Sequence, residues 1–212
     1  MKITIIYDNE IWERGLKADW GFSCLIQVYS RNILFDTGRD GHILLNNMEK
    51  LDINPKTFTE VFISHAHWDH TGGLIDFLRI NPVKVYIPLS CPCPSIEAEV
   101  IKVMGPLKIH ENIFSTGELG GFEQSLVIRM DKGVVVIAGC SHPGVSEILK
   151  EASKIGKVRA LIGGLHGFSQ FDLINNLELI CPTHCTQYKH EIKVLFPDKY
   201  EDGGVGRVFE IS

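Results

Sequence analysis

Short runs of apolar residues alternate along this chain with segments in which apolar residues recur at the spacing of a helix. Runs rich in β-branched and aromatic residues predict strands at residues 3–7, 22–29 and 32–35, and apolar side chains then recur on one helical face over residues 44–51. Further strands are predicted at residues 61–63, 83–87, 126–130, 134–138, 158–162, 179–181 and 208–211. Further helices are predicted at residues 74–78, 95–103, 145–152, 171–177 and 192–195. The chain is therefore of mixed α and β type.

The order of these elements predicts two packed sheets. Asp131-Lys132-Gly133 separates two strand-like runs and is typical of a hairpin turn, and the second half of the chain repeats the mixture of strands and helices seen in the first. We therefore expect an α/β (α+β) fold in which two mixed sheets pack together with helices outside. A doubly wound parallel sheet is the alternative, but it requires fewer consecutive strands at the start. No linker rich in Pro, Gly or Ser interrupts the sequence, so residues 1–212 are predicted to form one domain.

Composition narrows the class of protein. With 212 residues and 44% hydrophobic side chains, the chain has enough apolar surface for a full core. A net charge of −5 argues against general nucleic-acid binding, and no apolar run is long enough to cross a membrane. The first residues lack the pattern of an export signal, so the six cysteines are expected to be thiols of a cytoplasmic protein. We expect a small-molecule substrate and no nucleic-acid or membrane partner, and we leave a homo-oligomer open.

Three of the nine histidines fall within six residues, directly after the predicted strand 61–63. Alternate residues of an extended chain point to the same side, so His65, His67 and Asp69 converge. His70 joins them if the chain turns there, and Thr71-Gly72-Gly73 supplies such a turn. Imidazole and carboxylate are preferred ligands of zinc and related ions, so this string predicts a metal site.

Additional ligands must come from other segments, because one strand end cannot complete two metal sites. Three further histidines each follow a predicted strand, namely His142, His166 and His184. We predict His142 and His184 as ligands and treat His166 as an additional candidate. Cys140 stands two residues before His142 and offers a thiolate. Glu123, near the start of the preceding strand, is a polar neighbour that we do not predict to be a ligand.

These residues resemble the metallo-β-lactamase superfamily. The matching pattern consists of residues 65–70, the upstream string Phe35-Asp36-Thr37-Gly38 and the strand-end His142 and His184, and it spans residues 33–184. Within the superfamily, the strings at residues 69–74, 139–144, 163–166 and 182–185 are similar to one branch. That branch is the group of 7,8-dihydropterin-6-methyl-4-(β-D-ribofuranosyl)aminobenzene-5′-phosphate synthase-like proteins.

The resemblance implies an αββα sandwich with a two-metal site at one edge of its sheets. It implies a first ion held by His65, His67 and His142. It implies a second ion held by Asp69, His70 and His184, with Asp36 orienting the ligands from behind. One departure stands out, because most members carry a bridging Asp in a Gly-Asp pair where this chain has Gly139-Cys140. Either Cys140 ligates as a thiolate, or the bridge is missing, or only one ion binds tightly.

We expect two divalent metal ions, with zinc as the first choice and manganese or iron as alternatives. A site of this kind predicts a hydrolase. Such an ion lowers the pKa of its bound water to about 7, so a metal-bound hydroxide is available to attack a small ester, lactone, thioester or phosphoester. Asp69 would orient this hydroxide or take its proton. The branch resemblance implies the alternative, a transferase that joins a dihydropterin pyrophosphate to an aryl-ribose phosphate. A non-catalytic metal- or ligand-binding protein is the third hypothesis.

Overall fold

Thirteen strands form two sheets in the computed structural model, which describes residues 1–212. The strands of the first sheet are β1 (Lys2–Tyr7), β2 (Ser23–Val28), β3 (Arg31–Phe35), β4 (Glu60–Phe62), β5 (Lys84–Pro88), β6 (Val100–Val103) and β13 (Val208–Glu210). Those of the second are β7 (Leu107–His110), β8 (Ile113–Ser115), β9 (Leu126–Met130), β10 (Gly133–Ala138), β11 (Val158–Gly164) and β12 (Leu179–Thr183). The helices are α1 (Gly41–Lys50), α2 (Trp68–Thr71), α3 (Leu74–Ile80), α4 (Val145–Ser153) and α5 (Lys189–Leu195).

Both sheets combine antiparallel and parallel pairing. The first has the order β13-β1-β2-β3-β4-β5-β6, and it is parallel from β3 to β6. The second has the order β12-β11-β10-β9-β8-β7, and it is parallel from β10 to β12. Because parallel strands begin and end at the same edges of a sheet, the segments that follow β3, β4, β10, β11 and β12 share an edge within each sheet.

Three apolar layers hold these elements together. A cluster of 20 buried residues, including Ile3, Phe35 and Ile137, draws side chains from both sheets and fills the space between them. A second cluster packs α1 and α3 against the outer face of the first sheet, and a third packs α4 and α5 against the second. The order of layers is helix, sheet, sheet, helix, so the predicted αββα sandwich is confirmed and the doubly wound alternative is wrong.

Three sequence-based element predictions differ from the structure. No helix forms at residues 95–103, where an irregular segment leads into strand β6. The predicted helix at 171–177 is a 3₁₀ turn over Phe171–Ile174, and strands β7 and β8 had no predicted counterpart. None of these differences falls on the segments that carry the predicted metal ligands. None of the helices is both long enough and apolar enough to cross a bilayer.

Candidate metal centre

The histidines predicted as ligands come together where parallel strands end. His65 follows β4 in the first sheet, whereas His142 and His184 follow β10 and β12 in the second. The His65 ring centroid lies 4.2 Å from that of His70 and 4.6 Å from that of His142. His184 lies 5.0 Å from His70, measured between ring centroids. The two sheets thus bring four imidazoles from distant parts of the sequence into one centre.

The first predicted ligand set is gathered around His65. The His67 ring lies 4.7 Å from the His65 ring and 4.9 Å from the His142 ring, measured between centroids. His65 is fully buried, whereas His67 is exposed at the start of α2. The ring of Phe122 packs against His67 and His142 at 5.1 and 4.8 Å and closes one side of the group. The three rings therefore lie side by side, and the group is open to solvent at His67.

The second predicted ligand set is buried more deeply. The Asp69 Oδ2 atom lies 3.2 Å from His184 Nε2 and 3.9 Å from His70 Nε2. All three side chains belong to buried residues. A carboxylate oxygen and two imidazole nitrogens at these separations form a compact donor set of the kind that zinc prefers.

Cys140 stands between the two sets. Its Sγ atom lies 3.2 Å from His70 Nε2. It forms one group with His65 and His142 and another with His70 and His184, and within each group the ligand atoms lie within 4.8 Å of one another. Asp69 and His67 complete the surroundings of these groups. The thiol therefore occupies the place between the two donor sets at which the resemblance implies a bridging carboxylate.

Four of the imidazoles are held from behind through Nδ1, and each partner is a different side chain. The partners are Ser64 Oγ at 2.9 Å for His65, Asp36 Oδ2 at 2.7 Å for His70, Glu123 Oε2 at 2.8 Å for His142, and Asn9 Oδ1 at 3.0 Å for His184. The Nε2 atoms of His65 and His184 are buried and have no hydrogen-bond partner. A buried polar atom without a partner is costly, and an imidazole tethered at Nδ1 is the usual form of a metal-ligating histidine. These residues therefore fit a metal ion.

The charge states of His65, His70 and Asp69 agree with this fit, whereas a hydrogen bond with Cys185 and burial raise the pKa of the Cys140 thiol. Burial, together with the neighbouring imidazoles, lowers the pKa of His65 to about 2 and that of His70 to about 3. Both rings are thus neutral, which is the form that binds a metal ion. Burial raises the pKa of Asp69, but the imidazoles of His184 and His70 beside it outweigh burial and hold that pKa well below its usual range. The carboxylate is therefore ionised.

Glu123 organises the loop that carries Cys140 and His142. Its carboxylate accepts backbone N–H bonds from Cys140, Ser141 and His142, each at 2.9 Å, in addition to the His142 ring bond. Burial raises the pKa of Glu123, but these hydrogen bonds and the nearby His65 lower it to about 2. The sequence suggested a polar neighbour at this position and not this anchoring role, because only the fold brings residue 123 under the loop.

The backbone is strained at the same place. Seven non-glycine residues have positive φ, and four of them surround the centre: Asp36 at 51°, Ser141 at 62°, His166 at 47° and His184 at 46°. Left-handed conformations cost free energy for residues with a Cβ atom, and they persist where the surrounding structure requires them, often at functional sites. This strain aims the side chains that follow the ends of β3, β10, β11 and β12.

His166, the additional candidate, lies beside the first predicted ligand set, with its ring centroid 4.6 Å from that of His142. Its Nδ1 atom lies 3.1 Å from Cys185 Sγ, and these two residues form a third group with Cys140 in which the ligand atoms lie within 4.8 Å of one another. Hydrogen bonds with Cys140 and His166 lower the pKa of the Cys185 thiol, although burial opposes this. No sequence pattern predicted a ligand role for Cys185. His166 and Cys185 therefore form part of the wall of the centre, next to the predicted ligands.

A cavity of about 250 Å³ opens onto the centre. Its lining includes Asp69, His142 and His184, together with the tryptophan rings of Trp20 and Trp68. A larger groove of about 590 Å³ lies elsewhere, beside Lys50 and Asp52, but it contains no cluster of potential metal ligands. The smaller cavity is therefore the one that gives a substrate access to the candidate metal centre.

Comparison with known proteins agrees with this fold and centre. The family model described as the metallo-β-lactamase superfamily matches residues 21–90, which include the string 65–70. The chain thus has the fold and the sequence signature of that superfamily, and the resemblance predicted from its histidine pattern is confirmed. A solved metal-dependent hydrolase of the β-lactamase superfamily is 26% identical with a TM-score of 0.78, covering 100% of this chain and 99% of its own.

The similarity to one branch of the superfamily is also confirmed. The 7,8-dihydropterin-6-methyl-4-(β-D-ribofuranosyl)-aminobenzene-5′-phosphate synthase of Methanocaldococcus jannaschii is 27% identical, over 96% of this chain and 92% of that protein. The short form of human tRNase Z is 14% identical with a TM-score of 0.68, and all of each chain is covered. At that identity the likeness is one of fold alone.

Proposed function

We propose that this protein is a metal-dependent hydrolase that acts on a small ester, lactone, thioester or phosphoester by means of two divalent cations. One observation carries the proposal. Four imidazoles are each fixed through Nδ1 by a different side chain, and all four belong to the two groups of ligand atoms that Cys140 joins, beside a cavity lined by Asp69, Cys140, His142 and His184. Such an arrangement is costly to build without a ligand for the buried nitrogens.

We assign the donors to two ions. His65, His67 and His142 would hold the first ion, and Asp69, His70 and His184 would hold the second. The thiolate of Cys140 would be shared between them, because its Sγ atom belongs to both histidine groups. A thiolate with imidazoles favours zinc or iron over manganese, which prefers carboxylate and water ligands, so zinc is the first choice.

The chain's own residues would provide the remaining parts of the mechanism. Two bound cations would supply a water that ionises near neutral pH and positive charge to stabilise an anion that develops on the substrate. The ionised Asp69 carboxylate faces the cavity and would orient the attacking water or accept its proton. Asp36 and Glu123 would keep the rings of His70 and His142 in fixed orientation, so that little reorganisation accompanies the reaction.

Metal analysis combined with a substrate panel tests this proposal. We expect about two ions per chain in protein reconstituted with zinc, loss of one ion in His184→Ala, and loss of both in His65→Ala. We also expect zinc-dependent turnover of a simple phosphodiester or lactone. Fewer than about 0.2 ions per chain after reconstitution would contradict it. Two tightly bound ions without turnover of any ester, lactone or phosphoester would favour a non-catalytic binding protein.

A second candidate function comes from one relative. The Methanocaldococcus jannaschii protein named as a dihydropterin-linked synthase aligns over nearly the whole of both chains, which favours a transferase that joins a dihydropterin pyrophosphate to an aryl-ribose phosphate. The same metal centre would then face a pyrophosphate leaving group. A strict requirement for both a pyrophosphate and an aromatic amine, with no hydrolysis of simple esters, would favour this candidate over the hydrolase.

A further inference from the structure

Two of the three tryptophans stand at the mouth of the metal cavity. Trp20 and Trp68 both line it, and they are 46% and 54% exposed. Tryptophan is usually largely buried, because its ring carries a large apolar area. Two half-exposed indole rings beside the candidate ligands are therefore surfaces available for contact with a bound molecule.

Trp20 is held against the metal-binding segment by its neighbours. Its ring meets that of His184 edge-on, with the centroids 4.9 Å apart. The following Gly21 has a φ of 143°, and a Cβ atom there would lie only 2.5 Å from the Asp69 carbonyl oxygen. The backbone N–H of Phe22 donates to the same oxygen at 3.3 Å. The backbone that follows Trp20 is thus held against Asp69, and the Trp20 ring itself lies against His184.

Trp68 is part of the histidine string itself. It lies between His67 and Asp69 and begins α2, so its position along the chain is tied to two candidate ligands. The Arg39 guanidinium stacks on its ring, 4.7 Å from the ring centroid, and remains 54% exposed. The guanidinium also lies 4.0 Å from Asp19 Oδ1, a loose ion pair that an anionic ligand would have to compete with. Next to the mouth of the cavity, the indole faces are therefore accompanied by a half-exposed guanidinium.

We propose that Trp20 and Trp68 form an aromatic platform that recognises a planar aromatic or heteroaromatic ring of the substrate, with Arg39 facing an anionic substituent. This inference rests on the proposed function, since it assigns a substrate class to the same metal centre. Flat rings stack on indole whatever their substituents, and a cation beside the stack attracts an anion. The cavity volume of about 250 Å³ lies below the range of drug-sized sites, so it admits one ring system and not a long chain.

Binding of two matched phosphates to the zinc-loaded protein tests the platform. Phenyl phosphate and cyclohexyl phosphate carry the same anionic group and six ring carbons, but only phenyl is flat. We expect calorimetry to show that phenyl phosphate binds at least tenfold more tightly. Trp20→Ala or Trp68→Ala should weaken the binding of phenyl phosphate by about 5- to 150-fold, which is the range for single stacking contacts. The affinity for cyclohexyl phosphate should stay unchanged. Trp20→Phe should retain most of the preference.

Trp12 provides a matched control. It is 49% exposed and has the Arg207 guanidinium 4.2 Å from its ring centroid, yet it does not line the cavity. Trp12→Ala should leave both affinities unchanged. Equal binding of the two phosphates, or the same loss in Trp12→Ala as in Trp20→Ala, would overturn the platform. A change in oligomeric state of Trp20→Ala on gel filtration, without any change in phosphate affinity, would also overturn the platform. The Trp20 ring would then belong to an interface between two copies of the chain.

Turnover separates this inference from the hydrolase proposal. Hydrolysis of both phosphates with equal kcat/KM, and equal effects of the tryptophan variants on each, would overturn the platform and leave the hydrolase standing. A strong preference for binding phenyl phosphate, with no hydrolysis of either compound, would support the platform and count against the hydrolase.

Discussion

Each buried imidazole at this centre is oriented by a hydrogen bond from Nδ1 to one neighbouring side chain. Among these neighbours, Asp36 makes the most hydrogen bonds to the segment that carries the histidine string. Its Oδ2 atom lies 2.7 Å from His70 Nδ1, and its two oxygens accept bonds from the backbone N–H and the hydroxyl of Ser64, both at 2.7 Å. Ser64 in turn contacts the His65 ring. One carboxylate therefore orients two candidate ligands of different ions.

Replacing Asp36 by Asn should weaken metal binding without unfolding the protein. Asn tolerates the left-handed conformation that Asp36 adopts, but its amide cannot accept from all three donors. We expect a loss of 10- to 100-fold in zinc affinity, roughly the usual effect of such partners, measured by competition with a chelator. Asp52→Asn is the control, because Asp52 also has positive φ but is exposed. Unchanged affinity in Asp36→Asn would contradict this role.

Glu123 acts on the loop and not on a single ring. Glu123→Gln should loosen residues 140–142 and reduce the affinity for one of the two ions at least tenfold. It should also lower the free energy of unfolding by about 1.5–3 kcal/mol, the cost of losing hydrogen bonds to a buried charged group. Metal stoichiometry and urea denaturation measure these effects. Glu118→Gln serves for comparison, since Glu118 accepts a single backbone N–H from Ser90. Equal effects of the two substitutions would show that Glu123 has no special role.

The thiol of Cys140 makes a spectroscopic prediction. Cobalt bound in place of zinc should show thiolate-to-metal charge-transfer absorption, and this absorption should disappear in Cys140→Asp. Two ions should still bind to that variant. Its metal preference should move from zinc toward manganese, because a carboxylate is a harder ligand than a thiolate. Cys93→Ser should leave the absorption intact, since Cys93 is exposed and lies outside the cavity lining. Absorption that survives Cys140→Asp and disappears only in Cys185→Ala would assign the thiolate to Cys185 instead.

At the level of elements, local pattern predicted those parts of the site that lie on one strand end. The period of an extended chain grouped His65 with His67, whose ring centroids lie 4.7 Å apart. The same reasoning does not hold for Asp69, because helix α2 begins at Trp68 and places Asp69 beside His184. The partnership of Glu123 with His142, and of Asn9 with His184, depends on strand pairing across long stretches of sequence. No local pattern contains that information, so these contacts appear only in the structure.

The incorrect helix at residues 95–103 has a physical explanation. Glu97 and Glu99 early in a segment suggest the acidic first turn of a helix. The apolar residues Ile96, Ala98 and Val100 alternate with these acids, which is the period of a strand, and the β-branched residues that follow pair with β5 as β6. Pairing with a neighbouring strand therefore outweighed the local helix signal.

One buried amide connects helix α1 with strand β1 and with the loop at Lys17 on the outer side of the first sheet. Asn47 of α1 donates to the carbonyl oxygens of Ile6 and Lys17 and accepts the backbone N–H of Lys17, all within 2.9 Å. Asn47→Ala leaves those backbone groups without partners, and we expect the free energy of unfolding to fall by about 2–4 kcal/mol with zinc stoichiometry unchanged. Asn46→Ala is the neighbouring control, because the Asn46 side-chain oxygen has no partner to lose. A loss of zinc in Asn47→Ala would show that α1 supports the metal centre directly.

At the scale of the whole molecule, the candidate ligands of each ion come from both sheets. His65 and His70 follow β4 of the first sheet, whereas His142 and His184 follow β10 and β12 of the second. A bound ion would therefore join the two layers at their shared edge, in addition to the apolar cluster between them. Since an ion that binds only the folded chain stabilises it by mass action, metal content should affect global and not merely local stability.

Chelation should therefore lower the unfolding temperature of the entire protein. At a free zinc concentration one hundred times Kd, one site contributes about 2.7 kcal/mol, which for a chain of this size corresponds to about 5–11 °C. Differential scanning fluorimetry with a chelator, followed by reloading with zinc, measures the shift and its reversal. In a His65→Ala, His184→Ala variant the chelator should have no effect, and magnesium should not replace zinc because the donors are imidazole and thiolate. An unfolding temperature that is insensitive to chelation in the wild type, while metal analysis shows that zinc has left, would mean that the ions do not join the sheets.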